Sequence, residues 1–136
     1  MRYDTKISIA VREDIATWQK LNVTAFLASG VAIGIPEVAG EPYEDAANHR
    51  YLSLFRQPVL IHAGSGEALA AAHAKALERG LATAIYTDEL FTTNNDIDNR
   101  AAVRAADASK LRFAGIAVYG PRNAVDKVFK GLRLHE

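Results

Sequence analysis

The chain begins with an alternation. In residues 6–11 (KISIAV), Ile7, Ile9 and Val11 fall on one face of an extended segment and the small residues Ser8 and Ala10 on the other, which predicts a first strand. From residue 17 to about residue 34 the period lengthens to that of a helix. Leu21, Ala25, Ala28 and Ala32 form one side, and Phe26 and Leu27 widen the stripe, so at least Phe26 is expected in the core. Small residues on that side predict close packing on a sheet. Residues 57–63 (QPVLIHA) form a nearly continuous apolar run with β-branched members, the pattern of a strand covered on both faces. Gly64-Ser65-Gly66-Glu67 then opens a helix to Arg79-Gly80, with Ser65 as N-cap, Glu67 in the first turn and Gly80 at the C-terminal end. Residues 81–87 (LATAIYT) read as the third strand. Strand, helix and strand in that order predict a crossover unit with a parallel pair, and hence an α/β fold.

Asn95 starts N-D-I-D, a cap with an acid three positions on, before a weak helical stripe of Ile97, Ala101, Ala105 and Ala108. Residues 113–119 (FAGIAVY) give a fourth strand. Gly120-Pro121 punctuates it, and residues 122–129 (RNAVDKVF) read as a short helix with Pro121 near its first turn. Residues 35–50 hold two prolines, a glycine and four acids and read mainly as loop. No repeat, low-complexity tract or linker interrupts the pattern, so residues 1–136 are expected to form a single domain.

Composition narrows the classes. A length of 136 residues suits one core and is short for two, and 49% apolar against 24% charged residues is the balance of a chain that folds alone. The absence of cysteine removes disulfides and thiolate metal sites. The longest uncharged stretch, residues 22–36, is about 15 residues, whereas a spanning helix needs about 20. No signal-peptide core follows Met1, so a cytoplasmic location and no membrane partner are expected. A formal net charge of +0 and a pI near 6.9 give no general attraction to phosphate backbones, which weighs against nucleic acid as the main ligand.

Candidate chemistry gathers at strand ends. Arg12 and Asp14 end the first strand and Asp88 follows the third; if those strands are parallel neighbours, all three reach the edge where open α/β sheets bind ligands. The plainer reading of Arg12 and Asp14 is an ion pair across a turn, with Asp14 serving the next helix's free N–H groups. Gly64-Ser65-Gly66 would present backbone N–H groups to an anion, yet it has no Walker lysine, no full dinucleotide fingerprint and no G-x-S-x-G elbow. His49, His62, His73 and His135 form no close-spaced pair, so packing or surface roles are expected for them, with no metal and no cofactor.

The succession ISIAVREDI, QPVLIHAGSGEALAAAHAKALERGLATAIYTDELFTT and FAGIAVYGPRNAVDKVFKGLRL resembles the class II peptidyl-tRNA hydrolases of archaea and eukaryotes. The resemblance is closer to an uncharacterised bacterial branch, domain-of-unknown-function family two thousand. It covers most of the chain apart from residues 35–50 and 94–111, and rests on element order and on the ending Gly120-Pro121…Val125-Asp126-Lys127. It implies a three-layer α/β/α sandwich on a four-stranded mixed sheet, a homodimer, and cleavage of the peptide–tRNA ester without metal or organic cofactor. The family's site has a lysine in the first helix's opening turns and an aspartate and a threonine after the third strand. Asp88 and Thr92 match the latter two, Arg12 and Asp14 match the arginine and aspartate ending the first strand, and Asn22 stands in the lysine's place with Lys20 nearby.

With that cation displaced and the net charge balanced, the expected function is a domain of this fold turned toward a small substrate or ligand. Asp88 would orient water or a base, Thr92 would position it, and Asn22 or Lys20 would stabilise negative charge. Arg12 and Asp14 would contact the ligand, and residues 94–111 would act as a lid. A non-catalytic homodimeric binding module, in which Asp88 and Arg12 form a structural ion pair, is the second expectation. An authentic peptidyl-tRNA hydrolase, with tRNA as partner, is the third.

Overall fold

The computed structural model describes residues 2–136. Along the chain run β1 (Thr5–Arg12), α1 (Thr17–Gly34), the short strands β2 (Tyr43–Glu44) and β3 (Arg50–Tyr51), β4 (Val59–Gly64), α2 (Gly66–Glu78), β5 (Ala82–Thr87), α3 (Asp96–Arg104), β6 (Phe113–Pro121), α4 (Arg122–Val128) and β7 (Arg133–Leu134). The alternation read in β1 decides the layering. Ile7, Ile9 and Val11 pack with Val23, Leu27 and Val31 of α1, while Ala10 on the opposite face packs with Leu69, Ala72 and Ala76 of α2 and Val125 and Val128 of α4. Helices therefore cover both faces of a mixed sheet. Each fully buried Val, Leu or Ile contributes roughly 1.5–3 kcal/mol, so the central strands are held from two sides.

The main sheet has five strands in the order β5-β6-β1-β4-β7, not four, because Arg133 and Leu134 add a two-residue edge strand to β4. The strand–helix–strand unit is also not a paired one. β4 pairs in parallel with β1, from Ile7↔Val59 to Arg12↔Gly64, and α2 carries the chain across β1 and β6 to the far edge, where β5 pairs with β6. β6, apolar on both faces with Ala114, Ile116, Ala117 and Val118 fully buried, takes the place beside β1 and runs antiparallel to both β1 and β5. The expected neighbourhood of the first and third strands is thus corrected to a flanking one. They still point the same way, and their carboxyl ends share an edge with the start of β6.

One further expectation changes. Phe26 and Leu21 are not core residues; they are 53% and 68% exposed, and the buried side of α1 is Val23, Leu27 and Val31. Apolar residues lie all around this helix, so the selection is made by the sheet: at Gly115 of β6 an added Cβ would stand 2.6 Å from Val23 Cγ1 and 2.9 Å from Leu27 Cδ1, and only glycine lets that side of α1 approach. Residues 35–50 are mainly loop, as expected, and carry two short ordered parts. The 3₁₀ turn Pro36–Val38 buries Val38, and the β2–β3 hairpin is pinned by Asp45, whose carboxylate accepts from the backbone N–H groups of Ala47 (2.9 Å) and His49 (3.0 Å) and from the Tyr51 hydroxyl (2.7 Å). Among the described residues no helix is long and apolar enough to cross a membrane.

Candidate functional site

Arg12 is the last residue of β1, and strand alternation puts it on the α2 side with Ser8 and Ala10. Its guanidinium is fixed three ways: Nε donates to Asp14 Oδ1 at 2.8 Å, and Nη1 donates to Asp88 Oδ1 at 2.8 Å and to the Phe113 carbonyl at 3.0 Å. Asp88 is brought there by an irregularity in the β5–β6 ladder, where the register jumps from Tyr86↔Gly115 to Thr87↔Phe113, and its backbone N–H donates to the Arg112 carbonyl at 3.0 Å. Arg112 Nε approaches the other carboxylate oxygen, Asp88 Oδ2, at 3.4 Å. The Arg12 side chain is 16% exposed and that of Asp88 28%. Burial works against the guanidinium's charge, but the hydrogen bonds and charges of Asp88 and Asp14 outweigh it and raise the pKa of Arg12 above its ordinary value.

A guanidinium has five N–H donors. The three bonds above use Nε and Nη1, so the two donors on Nη2 have no acceptor among the described residues, and Nη2 is not among the buried unpartnered atoms. Arg12 lines a cleft of about 580 Å³ together with Asp14, Ser65, Glu67, Arg112 and Phe113, among others. Ser65 caps α2 there, its Oγ accepting from the Ala68 N–H at 3.1 Å. Arg12 and Arg112 stand against Asp14 and Glu67, so the lining offers donors and acceptors together.

The remaining expected residues take no part in this cluster. Asn22 lies on α1, on the other face of the sheet, where the Tyr86 hydroxyl donates to its Oδ1 at 3.5 Å and to the Leu90 carbonyl at 3.4 Å; burial raises the Tyr86 pKa. Lys20 forms no ion pair among the described residues. The Thr92 hydroxyl donates to the Glu89 carbonyl at 2.8 Å and closes the 3₁₀ turn Asp88–Phe91. Of residues 94–111 only Leu111 lines the cleft, and α3 packs instead on the Asp88–Phe91 turn. Among the described residues no three His, Asp or Glu side chains gather as a metal site.

Two residues of the cleft escape sequence reasoning. Arg112 is legible only once β6 is known to run antiparallel, which places its start beside the ends of β1 and β5. Glu67 reads as a helix-dipole partner in the first turn of α2, and only the fold brings it to the cleft that Arg12 lines.

The model of the family described as Protein of unknown function (DUF2000) matches residues 5–136. The solved structure of a protein of unknown function from Agrobacterium tumefaciens strain C58 is 41% identical, with a TM-score of 0.96 over 99% of this chain and 100% of that one. No curated protein matches the chain.

Proposed function

The chain belongs to the DUF2000 family, and from that premise we propose that it is a small-ligand-binding domain on a class II peptidyl-tRNA hydrolase-like scaffold, with the ligand held in the Arg12 cleft. The observation that carries this reading is the guanidinium of Arg12, a residue that lines the cleft, immobilised by Asp14, Asp88 and Phe113 while both donors on Nη2 have no acceptor among the described residues. A donor held in place before binding loses little freedom when the ligand arrives. Asp88 then serves as the group that positions Arg12. Each of its oxygens faces an arginine, whereas a carboxylate that activates water needs an oxygen within reach of that water. Asn22, in the place of the family lysine, lies across the sheet, and the Thr92 hydroxyl is taken up by Glu89. These features favour binding over ester hydrolysis.

The ligand that fits is small and polar. A carboxylate or phosphate would meet Arg12 Nη2 and Arg112, and an amino or hydroxyl group would meet Glu67 or Asp14. Thermal-shift screening against amino acids, small dicarboxylates, sugar phosphates and nucleoside monophosphates tests this. Stabilisation of the wild type by one class is expected, about 2.7 kcal/mol at 100 times Kd, with loss in Arg112→Ala and retention in Asn22→Lys. No shift with any class, together with peptidyl-tRNA ester cleavage that Asp88→Asn abolishes, would overturn the reading in favour of hydrolysis.

A second observation supports self-association. Leu21, Phe26 and Ile33 of α1 are exposed, and a mostly apolar groove of about 660 Å³ runs between α1 and the segment carrying Tyr43, Leu54 and Pro58. Exposed apolar surface marks interaction sites, and we read the groove as the homodimer face of a cytoplasmic protein.

A further inference from the structure

Away from the cleft, the α2 side of the sheet buries three side chains whose polar atoms have no hydrogen-bond partner: Ser8 Oγ, both ring nitrogens of His62, and Thr87 Oγ1. His62 is the one that titrates. It sits in β4 opposite Ala10, 8% exposed, and its ring stacks on Phe129 with centroids 5.0 Å apart and planes at 29°. Its cover is the chain's last segment. Leu134 pairs with His62 and Arg133 with Ala63, and the His135 N–H donates to the Ile61 carbonyl at 2.8 Å.

We propose that residues 132–134 form an acid-released strap beside His62, closed while the imidazole is neutral and opened when it takes up a proton, with Phe129 staying in the core. The proposal does not depend on the ligand reading. A protonated ring here would be a buried cation with neither N–H paired, and water is its cheapest solvation. Burial is the main reason the ring's pKa lies below its ordinary value; the Leu132 backbone pulls the other way without completing a hydrogen bond. The charges that reach the ring are Lys6 of β1, which disfavours the proton, and Asp126 of α4, which favours it. These two are paired with each other, so neither is left to neutralise an imidazolium. On β7 Arg133 is held by Glu13 at 3.3 Å, His135 turns to the Glu136 carbonyl, and on α2 His73 lies against Phe113 at 4.4 Å.

The strap is the element that yields first. A two-residue edge strand opens at far lower cost than β1 or β6, which are buried on both faces. Its release reaches the cleft by two contacts: the Arg133–Glu13 pair, beside Arg12 and Asp14, and Leu132, whose Cδ2 lies 2.5 Å from where a Cβ on Gly64 would stand, one residue before Ser65.

Hydrogen exchange on the full-length protein at about pH 7.5 and about pH 5.5, either side of the ordinary histidine value near 6.5, tests the proposal. After correction for intrinsic rates, the amides of residues 133–135 are expected to lose protection several-fold in acid, while those of β6 keep theirs. His62→Phe, which retains a ring to stack on Phe129, should abolish that loss, with His62→Gln as the alternative if the first does not fold. His73→Phe should leave it intact. The same acid loss in the His62 variants, or NMR titration of the His62 ring with strap protection unchanged, would overturn the proposal.

Discussion

Arg12 is a side chain held in one geometry by three partners. Asp14, Asp88 and the Phe113 carbonyl hold Nε and Nη1, and the planar fork then fixes where the donors on Nη2 point. Arg12→Lys keeps the charge but loses the fork, so ligand stabilisation should vanish, and the urea midpoint should fall by an amount equivalent to about 1–2 kcal/mol. Two other residues make stability depend on pH. His62 and His73 both have pKa values lowered by burial, so between the ordinary value near 6.5 and the lower folded values the unfolded chain binds more protons than the folded one. Stability is therefore complete above about pH 6.5 and declines as pH falls through that window. Urea unfolding at a series of pH values should show this decline, reduced when both histidines are replaced by phenylalanine; a midpoint flat from about pH 7.5 to about pH 5.5 would refute it.

At the scale of elements, the closest fit is α1 on β6 at Gly115. Gly115→Ala would place a methyl 2.6 Å from Val23 Cγ1 and 3.0 Å from the Ala10 carbonyl oxygen. The backbone oxygen cannot retreat, so a loss of about 1–3 kcal/mol in urea unfolding is expected. The period-two pattern of Ile7, Ile9 and Val11 and the capped start of α2 at Ser65 were legible in the sequence because each is a local signal. The buried side of α1 was not, since apolar residues surround that helix and the choice rests on a glycine almost 90 residues away. Strand order was hidden for the same reason: β6, which enters between β5 and β1, comes later in the chain than both of the strands it separates. Arg12 and Asp88 were nonetheless placed on one edge, because direction alone, without adjacency, brings strand ends together. Arg112 needed the antiparallel run of β6.

Over the whole molecule, the sheet separates two surfaces of different character. On the α2 side, the ends of β1 and β5 and the start of β6 build the polar Arg12 cleft; on the α1 side, the exposed Leu21, Phe26, Ile33 and Leu54 are left without cover. If two copies join there, light scattering after size exclusion should give a dimer, and Ile33→Asp with Leu54→Asp should give a folded monomer that still binds ligand. The division of labour rests on Asp88 belonging to Arg12 and not to a reacting water. The most direct measurement is a double-mutant cycle in urea unfolding, with Arg12→Met, Asp88→Asn and the two combined. A favourable coupling of about 1–3 kcal/mol is expected, since each single change leaves a half-buried charge or donor without its partner. Strictly additive losses, with no coupling between the two positions, would contradict it.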